Sequence, residues 1–141
     1  MALNPSLSNA IAQIEKKVAE NLPVGMTTDD VEWFGLAGFN PQGKSKWARS
    51  SYTELDTTYI ASGCGTTEGL YTLQMFYAVP TQGGIRNTML DDLDALRSVF
   101  SLEYFEGVTI DKVTTANLGQ ENSGTWFNQN LILNFSIRGR I

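Results

Sequence analysis

Apolar residues near the start of the chain have the spacing of a helix. They recur at intervals of four, three and four residues, which places them on one helical face. This stripe consists of Leu7, Ile11, Ile14 and Val18. Asn4-Pro5 supplies an N-cap and a proline suited to the first helical turn, and Leu22-Pro23 ends the pattern. We therefore expect a first helix over residues 5–21.

A strand, a short turn and a second helix are predicted in the centre of the chain. In the strand-like run Gly69–Val79, every second residue is a large apolar or aromatic side chain, so one face is expected to point into the core. Pro80–Gly84 reads as a turn. The residues after it carry apolar side chains at near-helical spacing and predict a helix that ends at Phe100. These are Ile85, Met89, Leu93, Leu96 and Phe100.

Three further strands complete the expected fold, over Arg49–Leu55, Val108–Val113 and the strongly alternating segment 126–138. The order α-β-β-α-β-β predicts a single α+β domain over residues 1–141, in which two helices pack on a mainly antiparallel or mixed four-stranded sheet. Its β-β-α-β-β body covers residues 47–139. By composition, Asp56–Gly69 and Ala116–Gly124 are expected to be loops, and Val31–Leu36 is either a short strand or an apolar loop.

Composition removes several classes of chemistry. The chain has 141 residues, 42% of them hydrophobic, which is enough for one buried core. It contains no histidine and a single cysteine, Cys64, so imidazole catalysis, most zinc sites and an internal disulfide are not expected. The net charge of −5 disfavours tight binding to nucleic acid. We expect no catalytic residues, no metal and no cofactor. With no signal peptide or apolar span visible, we expect synthesis in a cytoplasm and no membrane contact.

One segment matches the pattern of a phosphate-binding loop. Gly38, Gly43, Lys44 and Ser45 fit GxxxxGK[ST], in which backbone N–H groups wrap the phosphates and the lysine reaches the outer ones. The motif needs a buried strand before it and a helix beginning at the lysine. Lys46–Asp56 lacks a helical stripe and favours a strand. We therefore interpret the match as a surface loop, and keep a small nucleotide-binding protein as the less favoured alternative.

The acidic cluster of the second helix has two readings. Asp91, Asp92 and Asp94 could together hold a metal ion or act as acid and base. Acidic side chains early in a helix also complement its dipole and solvate its outer face. We favour the second reading for all three residues.

The central strand, turn and helix resemble the tail terminator (tail completion) proteins of long-tailed bacteriophages. The resemblance includes the strand around Trp47–Leu55, the run Leu73-Gln-Met-Phe-Tyr77 and the Pro80–Gly84 turn. It closes with Trp126 and the run Leu131-Ile-Leu-Asn-Phe135, so it covers most of the chain. The segment from Gly25 to Lys46 departs from the shorter connection expected of the family, and its role is left open.

The resemblance implies a structural virion protein without enzymatic activity. Such proteins form a ring, here expected to be a homo-hexamer, which caps the tail tube, ends its polymerisation and joins it to the head. The implied partners are the tail tube protein and the head–tail connector protein. DNA would pass through the lumen without specific binding, and the location would be the head–tail junction of the virion. A head-completion or connector adaptor protein is the alternative within virion assembly.

A ring of identical subunits needs two different contact patches on each subunit. The second face of the sheet is one candidate, because apolar residues interrupt its polar pattern. Its candidate interface residues are Leu70, Phe76, Ile132 and Trp47. The two expected loops, Asp56–Gly69 and Ala116–Gly124, and strand addition at an exposed sheet edge are further candidates.

Overall fold

A two-layer α+β domain is formed by one mixed sheet and two helices. The computed structural model describes residues 7–61, 64–80, 82–101, 104–105, 107–120 and 124–140. Its helices are α1 (Leu7–Glu20) and α2 (Arg86–Phe100), and a 3₁₀ turn covers Thr28–Asp30. The strands are β1 (Val31–Glu32), β2 (Lys46–Ala61), β3 (Cys64–Ala78), β4 (Tyr104–Phe105), β5 (Val108–Gln120) and β6 (Trp126–Arg140). Their order in the sheet is β1-β2-β3-β6-β5-β4.

The four long strands and two helices follow each other along the chain as the hydrophobic pattern predicts. The α+β class and the antiparallel pairing of β5 with β6 are confirmed. The count of four strands is wrong, because two-residue strands are added at both ends of the sheet. β1 pairs in parallel with β2 at Ala48 and Arg49, and β4 pairs with β5 at Val108 and Thr109. The parallel β1–β2 contact makes the sheet mixed.

The main core lies between the helices and one face of the sheet, here called the core face. Both helices direct their apolar stripes into it, as their spacing predicts, and side chains of β3 and β6 pack against them from the sheet. The fully buried side chains of the core face include Ile14, Val18, Tyr71, Leu73, Met75, Leu96, Phe100, Leu131, Leu133 and Phe135. Burial raises the pKa of the Tyr71 and Tyr77 phenols above their usual range. Among the described residues, no helix has the length and apolar character of a membrane span.

The expected loop over Asp56–Gly69 is wrong, because β2 and β3 continue through most of it as a long hairpin. The register runs from Lys46 opposite Tyr77 to Ala61 opposite Cys64. The run 57–60, Thr-Thr-Tyr-Ile, has high strand propensity. Gly69, which suggested a loop, serves packing within β3. A Cβ there would lie 2.7 Å from the Tyr52 ring and 2.9 Å from the Phe135 ring.

The expected loop over Ala116–Gly124 is also wrong in its first half, because β5 continues to Gln120. Gly119 is typical of a loop in sequence but lies within a strand here. The register between β5 and β6 shifts between Asn117 and Gly119, which leaves Leu118 as the extra residue of a β-bulge. Gly119 has φ of 72°, a conformation that bulges favour and other residues rarely adopt.

A buried polar network fixes α2 to the sheet. Asp92 Oδ2 accepts a hydrogen bond from the Tyr77 hydroxyl at 2.8 Å and pairs with Lys46 Nζ at 3.1 Å. Gln129, fully buried on β6, donates through Nε2 to the Tyr77 hydroxyl and to the Met89 carbonyl. The expectation that the whole acidic cluster is solvated is therefore wrong for Asp92, which is 8% exposed and faces inward. Removing one member leaves buried polar groups without partners.

The network predicts that two aspartates of the same helix contribute very differently to the free energy of unfolding. We expect Asp92→Ala to lower the free energy of unfolding by about 3 kcal/mol, because it leaves the partly buried Lys46 ammonium unpaired and the buried Tyr77 hydroxyl without its acceptor. Asp94→Ala is the matched control. Asp94 is exposed and pairs only with Arg97 on the surface, so we expect a loss below about 0.5 kcal/mol. Urea unfolding followed by circular dichroism measures both, and equal losses would contradict the role assigned to the network.

Candidate interaction surfaces

Both edges of the sheet carry long stretches without a strand partner among the described residues. β1 covers the outer edge of β2 only at Ala48 and Arg49, so residues 50–61 have no ladder on that side. β4 covers β5 only at its first two residues, so residues 110–120 also have no strand partner on their outer side. Unpaired N–H and C=O groups in such edges are ready to pair with another strand. Strand addition is therefore available at two separate places.

The two free edges run in opposite directions and carry exposed leucines at bulges. Three antiparallel pairings separate β2 from β5, so the two strands have opposite polarity. Leu55 is the extra residue where the β2–β3 register shifts, and Leu118 is the extra residue on β5. Their exposed fractions are 50% and 56%. The polarity allows β5 of one copy to extend the antiparallel ladder of β2 in another.

The sheet face opposite the helices, here called the back face, is mostly polar and uncharged at its centre. Cross-strand neighbours there include Thr72 beside Ile132 and Gln74 beside Asn130. Leu70 and Ile132, two of the candidate interface residues, are half-buried on this face. No helix in the described part of the chain belongs to this side, because both helical stripes lie in the core on the other.

One end of the back face is closed by an aromatic cluster. The rings of Trp47 and Phe76 stack at 4.1 Å with 9° between their planes, and Phe39 and Trp126 contact Trp47 at 5.3 and 5.9 Å. The Arg49 guanidinium lies 5.4 Å from the Trp47 ring and 5.6 Å from the Phe76 ring. These geometries are favourable aromatic and cation–π contacts. The cluster is a second, smaller core.

The aromatic cluster changes what Trp47 and Phe76 can offer a partner. Both were named as interface candidates with Leu70 and Ile132, but in the monomer they are only 4% and 2% exposed. Their side chains are already used within the chain, so a substitution at either acts first on folding. Leu70 and Ile132 retain exposed surface, and their contact with a neighbouring copy stays a prediction.

Three polar atoms near the aromatic cluster have no hydrogen-bond partner. They are the indole Nε1 of Trp47, the Oδ1 of Asn128 and the Oδ1 of Asn130. Asn128 lies directly opposite Phe76 in the sheet, so it borders the cluster. Buried polar atoms are normally satisfied. These three atoms are buried and have no partner among the residues that the structure describes.

The Gly38–Ser45 segment does not form a phosphate-binding loop. Residues 41–44 form a turn closed by the Lys44 N–H and the Pro41 carbonyl, and from Lys46 the chain enters β2 instead of a helix. Lys44 Nζ binds Asp30 Oδ1 at 2.8 Å and lies 5.9 Å from the Phe39 ring centre. The hydrogen bond from Lys44 is the main reason that the pKa of Asp30 lies below its usual range. The strand–loop–helix geometry required by the nucleotide alternative is absent here.

An exposed apolar turn lies at the β2 edge of the sheet. It comprises Trp33–Leu36, is closed by the Leu36 N–H bonding to the Trp33 carbonyl, and is here called the 33–36 turn. Phe34 and Leu36 are 56% and 51% exposed. The Phe34 N–H donates to Ser50 Oγ at 2.9 Å, and Ser50 Oγ donates to Glu15 Oε2 at 2.6 Å. The apolar side chains are thus presented on a fixed backbone.

An apolar groove lies near the opposite edge, beside the start of α2. It has a volume of about 430 Å³. Ile85, Met89 and Phe127 give it apolar walls, and Leu90 is 41% exposed at its border. Asn117 and Gly119 of the β5 edge, Arg86 of α2 and Gly84 just before the helix complete the lining. This feature is here called the α2 groove.

Among the described residues, no three His, Cys, Asp or Glu side chains come together as a metal site. The chain matches no model of a known protein family and no curated protein sequence. The surfaces themselves are therefore the main source of inference. Sequence reasoning named the back face, strand addition at an exposed sheet edge and an apolar loop as one reading of Val31–Leu36, but it did not identify which edges are free, and it missed the α2 groove. Exposed leucines in otherwise polar segments, at positions 55 and 118, were the available signal.

The aromatic cluster generates a stability prediction with a matched control. We expect Phe76→Ala to lower the free energy of unfolding by about 3 kcal/mol, because it removes a buried ring stacked on Trp47. Phe34→Ala deletes the same ring from an exposed position, and we expect a change below about 0.5 kcal/mol. Thermal and urea unfolding of the two variants provide the measurement. A Phe76→Ala protein as stable as Phe34→Ala would show that the cluster does not hold the back face together.

Proposed function

We propose that the chain is a structural protein that assembles into a ring, caps the tail tube of a long-tailed bacteriophage and forms the surface that joins the tail to the head. The observation that carries the proposal is the pair of long free edges, 50–61 and 110–120, on opposite sides of one sheet. A ring requires two different patches that meet head to tail. The α-β-β-α-β-β order and the resemblance of the central segment support the choice of tail protein.

The strand directions suit closure of a ring. Rotation about an axis roughly parallel to the strands preserves their direction, so β5 of each copy meets β2 of the next in an antiparallel arrangement. The added ladder then matches the pairings inside each subunit. Closing the ring also removes both free edges, which otherwise promote uncontrolled aggregation. We propose six copies, the number that the family resemblance implies.

The charge of the chain suits a channel that passes DNA without holding it. The net charge is −5, with 15 acidic and 10 basic residues. A surface with this balance gains little from neutralising phosphates and releases few counterions. In the proposed ring, DNA moves through the lumen, while the tail tube protein and the head–tail connector protein contact the two ends. The mechanism is steric capping of the growing tube.

A stop codon in the gene of the phage that encodes the chain tests the proposal. We expect electron micrographs of the lysate to show abnormally long tails and filled heads without tails, because the tube has lost its cap. Complementation with the wild-type chain supplies the control and restores tail length. Tails of normal length that fail to join heads would favour the adaptor alternative. Normal, infectious virions would refute both.

A further inference from the structure

We infer that β5 of each copy pairs with β2 of the next copy at an offset of four residue rows, and that β1 and β4 set this register. A row is a line of directly opposed residues that crosses β2, β3, β6 and β5. The inference rests on the proposed ring and deepens it, because it specifies which residues of the two edges meet. It follows from where the two short strands end.

The two edges are covered at opposite ends of the sheet. On the β2 edge, β1 pairs with the residues just before Ser50, and the Phe34 N–H bonds to the Ser50 side chain. On the β5 edge, β4 pairs only with the first two residues of the strand. Because β2 and β5 run in opposite directions, these covered segments lie at diagonal corners of the sheet. Among the described residues, 51–61 and 110–120 therefore remain open for pairing.

The overlap of the open segments depends on the offset between neighbouring copies. Without an offset, they share only the four rows of residues 51–54. A shift of four rows along the strands places Ser51 opposite Gly119 and Tyr59 opposite Ile110, and the overlap doubles to eight rows. More of the unpaired N–H and C=O groups of both edges can then bond. The β2 residues of these rows are Ser51, Tyr52, Thr53, Glu54, Asp56, Thr57, Thr58 and Tyr59, and their β5 partners are, in the same order, Gly119, Asn117, Ala116, Thr115, Thr114, Val113, Lys112 and Ile110.

The offset is an even number of rows, because successive rows point to opposite faces of the sheet. The row of Tyr71 and Leu133 faces the core, and the next row, with Leu70 and Asn134, faces the back. An odd offset would join the core face of one copy to the back face of the next. Offsets of two, four or six rows keep the helices of all copies on one side.

Closure of the ring selects the offset of four rows. Copies in a ring lie at the same height, so an offset along the strands tilts the strands from the ring axis. From β2 of one copy to β2 of the next there are four strand spacings of about 4.8 Å, and four rows rise about 14 Å, which gives a tilt of about 35°. Closed sheets typically tilt their strands by about 35–45°. An offset of two rows gives only about 20° and six shared rows, whereas an offset of six gives about 47° and still eight shared rows.

The fit of the two open segments identifies a second copy of this chain as the partner. The segments span the same number of rows, run in opposite directions and lie at opposite corners of the sheet, so each one completes the other. A strand from an unrelated protein would use one edge and leave the other open. Pairing between copies covers both edges of every subunit in the ring.

Disulfide trapping reads the register directly. In a Cys64→Ser background, Thr53→Cys is combined with Ala116→Cys, because an offset of four rows places these two positions directly opposite each other between copies. Within one chain they lie on strands three spacings apart, at least about 14 Å. A disulfide needs Cα atoms within about 7 Å, so each bond must join two copies. We expect a ladder of cross-linked species on a non-reducing gel, ending at the closed ring.

Three control pairs report the other even offsets on the same face of the sheet. Thr53→Cys with Lys112→Cys reports no offset, and Thr53→Cys with Thr114→Cys reports an offset of two rows. Asp56→Cys with Ala116→Cys reports an offset of six rows. We expect mild oxidation to cross-link the Thr53/Ala116 pair at least tenfold faster than any control. A faster reaction in a control pair, or equal rates for all pairs, would overturn the register.

The same variants, supplied to the phage carrying the stop codon, separate this inference from the proposed function. Restored tails whose subunits cross-link through Thr53 and Ala116 support both. Restored tails that cross-link through a control pair, or through no pair, overturn the register and leave the capping role intact. A Thr53/Ala116 ladder in the purified protein, together with normal virions in the absence of the gene, would refute the capping role and leave the register standing.

Discussion

Burial of a single face of the sheet is the constraint on which the rest of the structure depends. Two helices of 14 and 15 residues cover the core face of four long strands, and their apolar stripes supply eight of the twenty buried side chains described in the main core. Apolar burial is the dominant favourable term in folding. With only two helices available, the back face and most of both edges remain uncovered among the described residues. The surfaces available for assembly are a direct result of this layer architecture.

Polar and aromatic contacts refine that arrangement. Asp92, Lys46, Tyr77 and Gln129 connect α2 to three different strands beneath the helix. A network of this kind contributes through specific geometry, because a shifted helix would leave buried charges without partners. On the other side of the sheet, the stack of Trp47 on Phe76 closes one end of the back face. The rest of that face carries polar side chains, and the amide oxygens of Asn128 and Asn130 have no hydrogen-bond partner among the described residues.

Hydrophobic periodicity was sufficient to predict both helices, the four long strands and the core face of β3. It was insufficient where glycine has a packing role. Gly69 lies beneath two aromatic rings, and Gly119 serves a bulge, so both occur inside strands although their sequence context suggested loops. Asp92 illustrates the other limit. Its neighbours in sequence are exposed acids, and only the tertiary position of Lys46 and Tyr77 explains its burial.

The interaction surfaces were less predictable than the fold for a related reason. Phe76 and Trp47 interrupt a polar pattern, and sequence alone does not distinguish a contact with a neighbouring subunit from a contact within the chain. In the single chain the two rings stack on each other, so both side chains make contacts within the chain. Conversely, the free edges depend on how far β1 and β4 extend, and two-residue strands have no periodicity to detect. The pairing of elements across the sheet, and not their existence, is what the sequence left open.

We propose that neighbouring copies join edge to edge into a ring at the end of the tail. The most direct measurement is a cryo-electron microscopy reconstruction of the head–tail junction in the phage that encodes the chain. We expect a closed ring in which β5 of each copy runs antiparallel to β2 of the next, with the helices on one side of a continuous sheet. A ring whose copies leave residues 50–61 and 110–120 in solvent, or a junction that lacks the protein, would contradict it.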